Sequence, residues 1–173
     1  TLISGFKQLA IDQTSYQRRR CAVTEVLDEV SMALAPALRS THVTLSVAKV
    51  PYIEMDSFPG PLSQILLNLI QNSLIHGCEG MAGGMVSLSV HEGVLGTVVI
   101  TVGDNGKGIP QTHLNRVFDP FFTTRFGQGN SGLGLNIVHN LVTGLMGGDI
   151  QVSSEAGHGT VFTIRLPLQA PSG

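Results

Sequence analysis

The chain has 173 residues, which suits one domain or one domain with a short attachment. With 42% hydrophobic and 13% charged residues it can bury a core and is expected to be globular. A formal net charge of −2 with interspersed signs leaves no electrostatic footprint for nucleic acid, and the one basic run, Arg18 to Arg20, reads as a solvated turn or strand edge.

Residues 1–16 read weakly helical, with Leu2, Phe6 and Leu9 on one side. The stretch is short for an independent helix and is expected to be the tail of a longer element. "CAVTEVLDEV" begins extended and turns helical near Thr24, which with Glu25 and Asp28 makes a helix start. That helix should run on through Pro36, an expected kink. "HVTLSV" alternates and predicts a strand, with "YIEMD" as a second. Pro59 and Pro61 open a helix predicted from Leu62 to His76, and Gly77, Gly80, Gly83 and Gly84 break it. "MVSLSVHE" and "GTVVITVGD" predict paired strands around a turn at Gly93 to Gly96. A helix from Leu133 to Leu145 and a strand in "GTVFTIRLPL" complete the order. This mixed order predicts an α+β fold, a two-layer sandwich with helices on one face of a mixed, mostly antiparallel sheet.

Cys21 and Cys78 are too few for a disulfide framework or a zinc site and fit a reducing compartment, so a cytoplasmic location is expected. No apolar run approaches the roughly 18 residues of a membrane span. The chain begins at Thr1 and is expected to be cut from a longer protein, whose membrane attachment is left open.

Three segments carry chemistry. In "PLSQILLNLIQNSLIHG", Gln64, Asn68, Gln71, Asn72 and His76 share one helical arc, and Leu62, Leu66, Leu69, Ile70 and Ser73 share another. A polar arc without lysine or glutamate suits a cavity, where amide oxygens can ligate a hard cation or its waters. Asparagines also serve as caps or as buried, satisfied groups. "DNGKGIP", Asp104 to Pro110, follows a strand; its glycines allow a tight turn, and Asp104 can accept from an exocyclic amine. It can equally be an ordinary Asp-Asn-Gly turn. In "FFTTRFGQGNSGLGLNIVHN", Gly127, Gly129, Gly132 and Gly134 precede or open a helix, whose first N–H groups suit phosphate. The segment reads as a lid. It lacks the Lys-Ser/Thr of a P-loop and the βαβ unit of a dinucleotide fold.

The amide arc, the Asp-x-Gly-x-Gly turn, the aromatic "FDPFFTT" and "NSGLGL", in that order, resemble the ATP-binding catalytic domain of sensor histidine kinases. That domain has the Bergerat fold shared with gyrase-type and mismatch-repair ATPases. The resemblance runs from about Ala22 to Leu168 and ends in "GHGTVFTIRLPL". It implies three parts: residues 1–20 as the end of a dimerisation helix and a linker, 21–170 as the catalytic domain, and 171–173 as a tail.

The resemblance also implies a site that binds ATP and Mg²⁺. Asn72 matches the asparagine that ligates the metal, with Asn68 one turn earlier. His76 matches a residue near the phosphates or ribose. Ile75 stands where the family often has lysine or arginine, a phosphate contact that Arg125 or the lid backbone would then supply. Asp104 matches the reader of the adenine amino group, Gly106 and Gly108 the pocket floor, and Ile109 its lining. Phe118, Thr123 and Thr124 lie in the aromatic box that hinges the lid. Ser131, Gly132, Leu133, Gly134 and Leu135 match the backbone that wraps the phosphates, and Thr160 a threonine near adenine. Phe118, Phe121 and Phe122 can also be core.

At the position of Asn68 the ATP-hydrolysing relatives carry a glutamate that activates water, and an amide cannot take that proton. The resemblance therefore implies transfer of the γ-phosphoryl group to a histidine on a dimerising helical domain, with a response regulator as the next partner and a homodimeric parent. Of the six histidines only His91 precedes an acid, Glu92, and it lies between two motifs, so the acceptor is expected outside this chain. His42, His113, His139 and His158 read as surface or strand-end residues. The alternatives are a Bergerat-fold ATPase that couples hydrolysis to conformational change, a nucleotide-binding pseudokinase or adaptor, and a kinase with a serine acceptor.

Overall fold

The computed structural model describes residues 16–122 and 134–172. The N-terminal helical expectation therefore lies outside the described residues. Strand β1 (Arg19–Ala22) leads into helix α1 (Val23–Thr41). The helix buries Val23, Val26, Leu27, Val30 and Leu34, one stripe at helical spacing. It starts one residue before Thr24, with Ala22 extended at the cap and no side-chain capping bond. Pro36 lies inside α1 without ending it, and His42 closes it in the left-handed conformation.

Strands β2 (Thr44–Val47) and β3 (Glu54–Ser57) follow. Helix α2 (Pro59–Asn72) starts three residues earlier than predicted, because a proline at the first helical position costs no hydrogen bond. Leu62, Ile65, Leu66, Leu69 and Ile70 on α2 are fully buried. At Ser73–Gly77 the helix widens into a π turn, closed by the Cys78 N–H donating to the Ser73 carbonyl at 2.8 Å.

Strands β4 (Met85–Glu92) and β5 (Thr97–Asp104) form the predicted hairpin. A short helix α3 (Gln111–Leu114) and helix α4 (Gly134–Asn140), which widens in turn at Leu141–Leu145, precede β6 (Asp149–Glu155) and β7 (Gly159–Pro167). The five-stranded sheet has the order β2-β4-β5-β7-β6, with β2 and β4 parallel and the rest antiparallel. One face carries Val86, Leu88, Val98, Ile100, Val102, Phe162, Ile164 and Leu166, all buried beneath the helices. Ser87, Thr101, Val161 and Arg165 alternate onto the other face. The predicted α+β sandwich is thus observed, with a mixed, mostly antiparallel sheet.

Strand β6 is absent from the sequence expectation. Only Ile150 and Val152 mark its inner side, and it forms an edge of the sheet, where polar residues suffice. The arginine run enters β1, an edge strand paired with β3, as expected. The other side of β3 takes the C-terminal segment: Asp56 N–H donates to the Leu168 carbonyl at 2.7 Å and Ala170 N–H to the Asp56 carbonyl at 2.9 Å. Arg18 Nε meets Asp56 Oδ1 at 3.1 Å across this junction.

Burial and the exposed ion pair should separate by stability. Leu69→Ala is expected to cost about 2–5 kcal/mol in chemical denaturation, whereas Arg18→Ala should cost at most about 1 kcal/mol, the pair being partly exposed.

Candidate functional site

A cavity of about 430 Å³ opens between the end of α2, the loop after β5, α3, the start of α4 and the β6–β7 turn. Its size suits a small organic ligand. Asn72, His76 and Gly77 reach it from the widened end of α2. Asp104 closes it from the end of β5, and Thr160 from the facing position of β7. Lys107, Gly108, Ile109 and Pro110 form the rim, followed by His113, Val117 and Phe122. Gly134, Leu135 and Ala156 complete the wall.

The loop from Asp104 to Pro110 is held at nearly every residue. Asp104 Oδ1 accepts the Gly106 N–H at 2.9 Å. Asn105 Oδ1 accepts the Met85 N–H at 2.8 Å, and Asn105 Nδ2 donates to the Gly83 carbonyl at 3.2 Å. Lys107 N–H donates to the Gly77 carbonyl at 2.9 Å, and the Lys107 carbonyl accepts from Gly157 at 2.6 Å. Ile109 N–H donates to Ser154 Oγ at 2.7 Å. A Cβ at Gly106 would run into the Gly77 carbonyl, and one at Gly108, whose φ is +75°, into the Glu155 carbonyl. Glycine is required at both positions by contact, and at Gly108 by conformation as well.

Cys78 lies beneath this loop, its Sγ 3.9 Å from Asn105 Oδ1. Burial pushes its thiol above the ordinary range, and the Asp104 charge pushes the same way, against a backbone hydrogen bond from Met85. The thiol is thus held protonated and serves as buried packing.

Asn72, His76, Asp104, Gly108, Ile109, Gly134, Leu135 and Thr160 come together here, from sequence segments far apart. Asn68, Gly106 and Phe118 are not on the cavity wall. Asn68 sits one turn back along α2, about 6 Å along the axis. Gly106 is turned against the Gly77 backbone. Phe118 packs inward, 6.3 Å from Phe162 and 5.3 Å from His139 between ring centroids, with its carbonyl accepting from Asn136 Nδ2. Thr123, Thr124, Arg125, Ser131, Gly132 and Leu133 lie outside the described residues.

The aromatic cluster divides: Phe118 is half-buried and packs against the core, Phe122 lines the cavity, and Phe121 is 63% exposed. Sequence reasoning placed His113 at the surface, yet it lines the cavity and meets the Phe122 ring edge-on at 5.4 Å. Arg116 covers Phe122 at 4.7 Å. His113 lies on a one-turn helix, too short for a periodic signal to place it. Lys107 and Pro110 were visible within the Asp-x-Gly-x-Gly segment but were not singled out. Ser154 went unnoticed because its strand did.

The profile of the family described as "Histidine kinase-, DNA gyrase B-, and HSP90-like ATPase" matches residues 59–170. The chain belongs to this family. The sensor histidine kinase ZraS of Escherichia coli (strain K12) is 43% identical over 119 residues, which cover 69% of this chain and 24% of that protein. The alginate biosynthesis sensor protein KinB of Pseudomonas aeruginosa is 29% identical over 173 residues, covering 96% of this chain and 28% of its own length. The chain thus spans between about an eighth and about a quarter of the length of the curated relatives it matches. Among solved structures, full-length ShkA in complex with AMPPNP superposes with a TM-score of 0.77 at 26% identity, over 91% of this chain and 32% of that one. The catalytic domain of histidine kinase ThkA gives a TM-score of 0.75 at 24% identity, over 88% and 97%. The chain is homologous to the catalytic ATP-binding domains of sensor histidine kinases. No described helix is long and apolar enough to cross a membrane.

Gly106→Ala should force the loop off Gly77 and cost about 1–3 kcal/mol, as overpacking does, read as a lower denaturation midpoint. Pro110, with its φ of −59°, should tolerate alanine better.

Proposed function

We propose that this cavity binds Mg-ATP and that, in the parent protein, the domain hands the γ-phosphoryl group to a histidine on a separate helical dimerisation domain. The observation that carries the reading is the meeting of Asp104, Thr160 and Asn72 in one cavity that Gly134 and Leu135 of α4 also line. Asp104 supplies a fixed carboxylate, oriented by the Gly106 N–H, for the amino group of adenine. Ile109, Val117 and Leu135 offer apolar surface for the base. His76, one turn after Asn72, and Lys107 add polar groups to the cavity lining.

The donor set fits magnesium that arrives with phosphates. Asn72 offers a hard amide oxygen, and Mg²⁺ commonly takes few protein ligands beside phosphate and water. Among the described residues no three His, Cys, Asp or Glu are grouped to hold a metal alone, so retention would depend on the nucleotide. When bound, the ion would neutralise charge on the phosphates. The chain's own part is to bind, orient and exclude water. Asp104 is the one carboxylate among the described lining residues, and its orientation toward Gly106 suits recognition rather than proton removal. Asn68 is an amide and cannot act as a base. This favours transfer over hydrolysis.

Exposed Phe121 suits contact with the helical domain. A response regulator as the later acceptor is supported by the ThkA neighbour, which was solved in complex with the response regulator TrrA. A homodimeric parent and a cytoplasmic position for the domain complete the proposal.

Titration with a non-hydrolysable ATP analogue tests the binding step. Asp104→Asn should weaken affinity about ten- to a hundred-fold, the worth of a hydrogen bond to a charged group. Asn72→Ala should remove the magnesium dependence. In the full-length parent, labelled ATP should yield acid-labile, base-stable protein phosphate that Asn72→Ala abolishes. Steady phosphate release by the chain alone would instead favour an ATPase, and absence of magnesium-dependent binding a nucleotide-free adaptor.

A further inference from the structure

Ser154, near the end of β6, stands behind the cavity wall, bonded to the lining residues Ile109 and Thr160, and has no role in the reading above. Its Oγ lies 2.7 Å from Ile109 N, 2.8 Å from the Gly159 carbonyl oxygen and 2.9 Å from Thr160 Oγ1. A serine hydroxyl has one proton and two lone pairs. The Gly159 carbonyl can only accept, so it takes the serine proton. The Ile109 N–H can only donate, so it takes one lone pair. The third contact then closes in one direction, with Thr160 donating to Ser154.

Thr160 is 5% exposed and lines the cavity. Its proton is spent inside the wall, and only lone pairs remain for a ligand. Asp104 is its register partner on β5, and that carboxylate also accepts. Two neighbouring strands therefore present acceptors at one point of the wall, with no hydroxyl donor.

We propose that Ser154 is a positioning residue that sets base specificity. It holds the Thr160 proton away from the cavity, so that the wall selects a purine with an amino group at position 6 over one with a carbonyl there. This rests on reading the cavity as an ATP site. An amino group brings donors to Thr160 and Asp104. A carbonyl oxygen would face their lone pairs and leave polar groups unpaired, the circumstance in which sites discriminate most strongly. Without the serine hydroxyl, Thr160 can turn and donate inward, which favours the carbonyl. Ile109 N–H and the Gly159 carbonyl also lose a partner, so affinity for both bases falls. The ratio between them, rather than either affinity, reports the role of Ser154.

The experiment measures dissociation constants for ATP and for inosine triphosphate, with magnesium, on the wild-type chain, Ser154→Ala, Ser154→Thr and Thr160→Val. Wild type should prefer ATP by about ten-fold or more, and Ser154→Ala should shrink that preference about three- to ten-fold, the scale of one hydrogen bond. Ser154→Thr retains a hydroxyl and should keep the preference. Equal weakening of both nucleotides by Ser154→Ala overturns the inference and leaves the serine as a brace for the loop. If Ser154→Ala does not fold, Thr160→Val decides, and an unchanged ratio there also overturns it. A wild-type chain that binds neither nucleotide overturns the ATP reading itself. Binding of ATP with a ratio that no variant moves overturns only the role of Ser154.

Discussion

The site depends on how closely the loop after β5 lies against its neighbours. Gly106 abuts the backbone of Gly77, and Gly108 abuts that of Glu155. These approaches let Lys107 bond on both sides, to Gly77 and to Gly157. The loop thereby ties the end of α2 to the β6–β7 turn. Asp104 and Ile109 flank these contacts, so their positions follow from backbone packing more than from their own side chains. A site assembled this way binds with little ordering of its wall, which is the condition for spending interaction energy on the ligand.

The rest of the fold supplies that arrangement with anchors. The apolar face of the sheet fixes the level of β5, because Val98, Ile100 and Val102 are fully buried. The matching residues of α2 fix the helix above it. Asn72 and His76 then project at the one place where the helix stops being regular. A buried, protonated Cys78 fills the space below without introducing a charge near Asp104.

Much of this was legible in the sequence, for identifiable reasons. β4 and β7 alternate cleanly, β5 is an apolar run bounded by turn residues, and α2 separates its leucines from its amides, so their types could be read. Asp104, Asn72 and Thr160 could be named because their motifs resemble those of a known family. The missed features share another cause. Strand β6 is a polar edge, and α3 is a single turn, so neither carries a long periodic signal. His113 and Ser154 depend on those elements and were therefore misplaced or overlooked. Phe118 and Phe122, four residues apart, face different surroundings, one packed against the edge of the core and one lining the cavity, and chain pattern alone does not distinguish them.

The widened turn at Ser73–Gly77 sets a limit on how this chain can vary in length. A π turn holds one more residue than an α-helical turn would need. A one-residue deletion there would be absorbed as the turn regularises, which leaves the following chain roughly in phase but removes the extra residue that the widened turn carries. The present matching of His76 to the wall and of Gly77 to Gly106 depends on that extra residue. Residue count in this segment is therefore as binding a constraint as residue identity.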